Sequence, residues 1–288
     1  MIEIRRAKLE DKARIVEISS KIWDGDDYLP HIFEKWVHEE GGEFSVITVD
    51  GVVAGCAKMT LLPHNVLWLE GIRVDSDYRG QGLGKKMADY QLKRAKFLGY
   101  NRLELGTFVE NYESLAIIEK RGFERIASFK FLLHTFEKTL DFDESVIESS
   151  SIKPIKTLDE AKELLGYLDT DVRQQYVNLD WTFIKCDETL LLEFINRGLV
   201  YKMGDTLFAY GSWNQKDDGM TLYFMFGSQK DQVVKHVLLE AKKNQFSNVI
   251  TMSTDGEEDH TYLYNNGFIS LTEEAFDAFV YRYKDENE

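Results

Sequence analysis

The sequence predicts an α/β (α+β) protein of two tandem domains built on one plan, each a mixed, mostly antiparallel sheet flanked by helices, with the second copy degenerate. Three observations predict it. Apolar residues alternate with polar ones in some stretches and recur at helical spacing in others, in the order β-α-α-β-β-β-α-β-α-β over the first half. A glycine-rich turn, Arg79-Gly80-Gln81-Gly82-Leu83-Gly84, joins an apolar strand to a helix. The second half then repeats several features of the first in the same order.

The elements follow in chain order. Ile2 to Arg6 alternates apolar and charged residues, as a strand does. Leu9, Ala13, Val16 and Ile22 begin a helical stripe. The stretch Trp23-Asp24-Gly25-Asp26-Asp27-Tyr28-Leu29-Pro30 ends that helix with carboxylates, a glycine and a proline, and reads as a loop. A second helix presents Ile32, Phe33, Trp36 and Val37 and stops at Gly41-Gly42. Phe44 to Val49 and Val52 to Leu61 flank Asp50-Gly51, a strong hairpin signal. Val66 to Val74 is the next strand, and Lys85 to Leu98 the helix beyond the glycine turn. Arg102 to Phe108 is a strand, Asn111 to Lys120 a helix, and Gly122-Phe123 a turn into a strand pair around Ile126 to Phe136. The first domain is expected at 1–140.

Asp141 to Ser151 is acidic and serine-rich and reads as a linker, with the second domain at 151–288. Ile152 to Lys156 with LDEAKELL echoes Ile2 to Arg6 with LEDKARIV. Gly198 and Gly211 bracket a hairpin as Gly42 and Gly55 do, both pairs 13 residues apart. Asn266-Gly267-Phe268 echoes Arg121-Gly122-Phe123. Between the second hairpin glycine and the Gly-Phe turn lie 67 positions in the first half (55 to 122) and 56 in the second (211 to 267). The shortfall falls where the glycine turn belongs. There the chain reads Phe226-Gly227-Ser228-Gln229-Lys230, without the glycines that a tight cradle needs.

Composition narrows the function. The 288 residues are 43% hydrophobic, enough for real cores. A net charge of −15 disfavours nucleic acid and anionic membranes, which need basic patches. Cys56 and Cys186 are the only cysteines and form neither a disulfide framework nor a metal-binding spacing, so no metal is expected. The charged N-terminus and the lack of a long apolar run point to a cytoplasmic protein.

A strand, a glycine turn and a helix start together form a cradle for phosphates, because the first helical N–H groups point forward without partners. The stretch GIRVDSDYRGQGLG resembles the acetyl-CoA loop of the GNAT (GCN5-related) N-acetyltransferases, Arg/Gln-x-x-Gly-x-Gly/Ala with its preceding strand. The resemblance covers about residues 1 to 140 and includes the Asn111…Gly122-Phe123 ending. It implies that acetyl-CoA is the co-substrate. Backbone groups of Ile72, Arg73 and Val74 would pair with its pantetheine arm. Amides of Gly80, Gln81, Gly82, Leu83 and Gly84 would hold the pyrophosphate, with Arg79 adding charge. Asn111 and Ser114 would contact the arm, Asn111 also being a natural helix N-cap.

An amine near pKa ~10 needs a base at neutral pH. Glu70, inside the apolar run VLWLEGIRV, is the first candidate, with a salt bridge as its alternative role. Glu104 is the second, resembling the strand glutamate of ribosomal-protein acetyltransferases. The family's tyrosine acid position is Ile118, and a thiolate leaves well without one. The acceptor wall is expected from Trp23, Asp26, Asp27 and Tyr28. The run W-x-G-x-D-Y-L-P, with E-G-I-R-V on the strand, is similar to the histidine N-acetyltransferases. That implies a small-molecule amine, such as an amino acid, as acceptor. A protein or peptide N-acetyltransferase and a non-catalytic acyl-CoA sensor are the alternatives, and a homodimer stays open.

Overall fold

The computed structural model describes residues 1–22, 25, 27–136, 151–166, 176–213, 218–254 and 260–284. In chain order the first half forms β1 (Ile2–Arg6), α1 (Lys12–Ser19), α2 (Leu29–His38), β2 (Glu43–Val49), β3 (Val52–Leu62), β4 (Val66–Val74), α3 (Leu83–Phe97), β5 (Arg102–Phe108), α4 (Tyr112–Ile118) and β6 (Phe123–Thr135). The second half forms β7 (Ile152–Pro154), α5 (Leu158–Gly166), β8 (Tyr176–Leu179), β9 (Thr182–Lys185), α6 (Glu188–Asn196), β10 (Val200–Met203), β11 (Thr206–Gly211), β12 (Gly219–Phe226), α7 (Lys230–Lys243), β13 (Asn248–Thr254), α8 (Thr261–Tyr264), β14 (Ile269–Ser270) and β15 (Ala278–Tyr283).

The chain divides into two compact units. Unit 1 is Met1–Thr107, Asn111–Ile126 and Val280–Glu288; unit 2 is Phe108–Glu110 and Ala127–Phe279. Neither is a continuous segment, unlike the ranges 1–140 and 151–288 read from the linker. The end of the chain returns to unit 1, where Arg282 pairs with Glu104 and the Lys284 N–H donates to the Gly122 carbonyl at 2.9 Å. Most of β6 belongs to unit 2, where it pairs antiparallel with β13 from Phe129 to Thr135. Such pairings between distant strands leave no mark on local sequence.

In unit 1, β1, β2, β3 and β4 run antiparallel in that order and β5 joins β4 in parallel. One face is covered by α1 and α2, whose Ile15, Ile18, Leu29, Phe33 and Trp36 pack on Phe44, Val46 and Cys56. The other is covered by α3, whose Leu83 and Met87 pack on Ile47 and Ala57. The α1 stripe differs from expectation. Ile15, Ile18 and Ser19 are the buried positions, while Leu9 is 51% exposed. The i, i+3, i+4 set of Ile15 carries larger apolar side chains than that of Ala13, and burial follows area. The expected loop is also shorter, because Leu29 and Pro30 open α2, where a proline's missing N–H costs nothing. The strand pair expected around Ile126 to Phe136 is the single strand β6.

In unit 2, β7, β10, β11 and β12 run antiparallel in that order and β13 joins β12 in parallel, the same succession as in unit 1. The β8–β9 hairpin, between α5 and α6, forms a separate two-stranded sheet. Among the described residues no helix is long and apolar enough to cross a membrane.

Candidate active site

The site grows from a defect in the β3–β4 pairing. Cys56 faces Arg73 and Lys58 faces Glu70, so Ala57 alone opposes both Gly71 and Ile72. This is a β-bulge, and it bends and twists the strand that carries it. Gly71 takes a φ of +68°, and a Cβ there would lie 2.9 Å from two ring carbons of Trp36. Backbone conformation and lack of space both call for glycine at this position.

The bulge has two consequences. First, β4 pairs with β5 only from Val66 to Trp68, opposite Arg102 to Glu104. From Leu69 onward the two strands part, and the β5-facing edge of β4 is open to an added strand. The side chains of Ile72 and Val74 anchor this segment in the core under α3. The Ile72 carbonyl also accepts from the Arg73 guanidinium at 3.2 Å. Second, Glu70 and Arg73 emerge on the same face. Three residues apart on a regular strand, they would point to opposite faces.

Beyond β4 the chain reaches the glycine turn. Gly80 and Gly82 have φ of +76° and +73°, and a Cβ at either would meet no described atom within 4 Å. Neighbouring protein therefore does not fill the space over these glycines. Gly82 is the left-handed N-cap of α3 and has no side-chain cap. The first bond of the helix runs from the Lys86 N–H to the Gly82 carbonyl. The amides of Leu83, Gly84 and Lys85 precede it and form an anion site with the helix dipole behind them. The Leu83 side chain is buried, so only its backbone can serve a ligand. A Cβ at Gly84 would lie 3.7 Å from Ile117 and 3.8 Å from Val74, which fits close packing of α3 on β4. Arg79 and Gln81 are exposed. Asn111 caps α4, accepting from the Ser114 N–H at 3.2 Å. These features fit a ligand that carries phosphate groups and an extended arm.

On the α1/α2 face, Glu70 accepts a hydrogen bond from the Thr60 hydroxyl. Burial pushes its carboxyl above the ordinary range, against the pull of Thr60 and the neighbouring Lys58. Asp27 is held by Arg73 in a bidentate pair, Nε to Oδ2 at 3.0 Å and Nη2 to Oδ1 at 3.2 Å. It also accepts from the Leu29 N–H. Its charge is thus matched within the protein rather than held ready for a cationic acceptor. The Arg73 guanidinium lies 5.6 Å from the Tyr28 ring centroid, and Tyr28 meets Trp36 edge-on at 6.0 Å. Tyr28 is 40% exposed, but desolvation of its hydroxyl pushes that group up to about 12. Trp23, Asp24 and Asp26 lie outside the described residues.

Glu104 is 1% exposed and pairs with Arg102 at 3.0 Å and Arg282 at 2.8 Å. Two guanidiniums on one carboxylate make it a structural anchor rather than a free proton acceptor. Ile118 is buried, and Tyr112 is 71% exposed. Sequence reasoning missed Lys58, Thr60 and Glu39, which surround Glu70. A lysine within the apolar strand VVAGCAKMTLL was the available signal.

Unit 2 closes the corresponding features on itself. The N–H and hydroxyl of Ser228 donate to Asp205, and the Gln229 N–H donates to the Thr206 hydroxyl at 2.8 Å. Strand β12 pairs with β13 only from Gly219 to Leu222, and β8 packs against both strands. Among the described residues no group of His, Cys, Asp and Glu is arranged to hold a metal.

Residues 11–123 match the acetyltransferase (GNAT) family. Mouse N-acetyltransferase family 8 member 3 is 33% identical over 90 residues, which are 31% of this chain and 38% of that protein. Histidine N-acetyltransferase of Scomber australasicus is 26% identical over 178 residues, covering 57% of this chain and 52% of its own length. The chain therefore spans from about two fifths to about half of the length of these curated relatives. The crystal structure of a GCN5-related N-acetyltransferase from Sphaerobacter thermophilus has the same fold across 98% of this chain and 95% of its own, with a TM-score of 0.66 at 10% identity.

Proposed function

Because residues 11–123 match the acetyltransferase (GNAT) family, we propose that this protein transfers an acetyl group from acetyl-CoA to the primary amine of a small molecule. The observation that carries the reading is the open edge of β4, which runs into the Gly80–Gly84 cradle and bears Glu70 at the start of its bulge. Acetyl-CoA supplies the acetyl group activated as a thioester. Ile72, Arg73 and Val74 offer backbone groups to its arm, and the amides from Gly80 to Gly84 offer donors to its phosphates, with Arg79 beside them. Asn111 and Ser114 at the start of α4 complete this side of the site.

Glu70 is the base. Burial raises its pKa above the ordinary carboxylate range, which moves its proton affinity toward that of the amine it serves. Glu104 serves the fold through its two arginines. The Asp27–Arg73 pair and the Tyr28 and Trp36 rings shape the acceptor wall. Histidine N-acetyltransferase among the relatives supports a free amino acid as acceptor. The matching strand order of the two units supports a duplicated origin, with the cofactor site kept only in the first. Free, buried Cys56 and Cys186 fit a reducing, cytoplasmic setting.

The test is CoA release from acetyl-CoA with a panel of free amino acids, polyamines and short peptides. Turnover on a small amine is expected, with Glu70→Gln lowering kcat by roughly 10²–10⁴-fold. Glu104→Gln should act mainly on stability. Turnover on peptides alone would replace the small-molecule reading. Tight acetyl-CoA binding with no turnover on any acceptor would make the protein a sensor.

A further inference from the structure

Lys58 stands in the middle of β3 with its side chain fully buried. An ammonium is costly to bury unless it is paired, so its surroundings show what it is for. Lys58 and Glu70 are register partners across β3 and β4, so their side chains leave the sheet side by side on one face. The Lys58 Nζ forms an ion pair with Glu39, which follows α2, and donates to the Met59 carbonyl at 2.8 Å. The backbone closes tightly over this amine. A Cβ on Gly42 would lie 2.8 Å from Nζ and 2.2 Å from the Met59 oxygen.

We propose that Lys58 is a positioning residue for acetyl transfer: its dry ammonium, clamped by Glu39, keeps the neighbouring Glu70 carboxyl in the ionised form that accepts the amine's proton. The proposal rests on the reading of Glu70 as the base. On this face Glu70 has the Thr60 hydroxyl and Lys58 from β3, Lys35 from α2, Glu39 from the segment after α2 and Tyr28 from the segment before it, and the Arg73–Asp27 pair lies on the same face. Burial raises the Glu70 pKa. Thr60, Lys58 and Lys35 pull it down, and Glu39 pushes it up less than Lys58 lowers it. With an apolar residue in place of Lys58, the carboxyl would stay protonated further into the working pH range. The attacking nitrogen would then find no acceptor for its proton.

The experiment titrates Glu70 directly in the full-length protein carrying ¹³C-labelled glutamate, its carboxyl signal assigned by its loss in Glu70→Gln. Wild type is compared with Lys58→Met and with the Glu39→Gln/Lys58→Met double variant. The double variant also removes the Glu39 carboxylate that Lys58→Met would leave unpaired, and so guards against a folding failure. The Glu70 midpoint should rise by about one pH unit or more in Lys58→Met, and by less in the double variant. The acid limb of kcat/KM should move with it, so that raising the pH restores the rate. A midpoint that stays put in a folded variant overturns the role of Lys58, and so does a rate lowered equally at every pH. An unmoved titration beside an inactive Glu70→Gln overturns Lys58 alone. A shifted titration beside a fully active Glu70→Gln overturns the base reading, and the catalytic role of Lys58 with it.

Discussion

Gly82→Ala separates the two reasons a chain can need glycine. At Gly82 the φ is +73°, and an added Cβ finds no described atom within 4 Å. The folding cost is therefore backbone strain alone, about 1–2 kcal/mol for a side chain in the left-handed region, less the few tenths recovered from a stiffer unfolded chain. Gly99, just past α3, is a matched control, with φ +82° and equally open space. Gly99→Ala should lower Tm by the same amount, about 2–4 °C. The two variants part on ligand binding. A methyl at Gly82 holds an anion away from the first amides of α3. Losing one charge-assisted hydrogen bond costs about 1.5–3 kcal/mol, roughly a 10–100-fold rise in Kd. Calorimetric titration with acetyl-CoA measures this directly. Equal affinity in Gly82→Ala and Gly99→Ala would refute the cradle, because the glycine at 82 would then serve only the backbone.

Other outcomes follow from the ion pairs and from unit 2. Asp27→Ala strands the Arg73 guanidinium, whose side chain is only 10% exposed, and should cost about 3–5 kcal/mol in urea unfolding; a loss below about 1 kcal/mol would mean that water replaces the partner. At Asp75, burial raises the pKa, but bonds from the Asp77 N–H, Arg14 and Lys21 outweigh it and hold the carboxyl below its ordinary value. Its contribution to stability is thus fully present above about pH 4 and fades as pH falls through the lower folded value. The stability gap between wild type and Asp75→Asn should accordingly shrink in acid, and a gap constant with pH would contradict the network. Acetyl-CoA should bind with a stoichiometry of one per chain, because Asp205 and Thr206 already occupy the amides of Ser228 and Gln229; two sites per chain would show that unit 2 opens.

The sequence by itself determined what rests on neighbouring residues. Glycine spacing marked the 80–84 turn, Asp50-Gly51 marked the β2–β3 hairpin, and apolar periodicity placed the helices and most strands of the first half, because these signals are local sterics and local burial. Glu70 stood out as a charge in an apolar strand, and Asn111 as a cap. Tertiary structure alone decided the rest. Only the pairing with β3 reveals the bulge at Gly71 and shows that Glu70 and Arg73 share a face. Asp27 and Glu104 looked alike as free carboxylates until Arg73 in one case, and Arg102 with Arg282 in the other, claimed them. Arg282 lies 178 positions from Glu104, and β6 likewise finds β13 across more than a hundred residues. Propensity and periodicity act over a few residues, whereas the partner of a buried charge or a strand edge is chosen by whatever the whole fold brings within bonding distance.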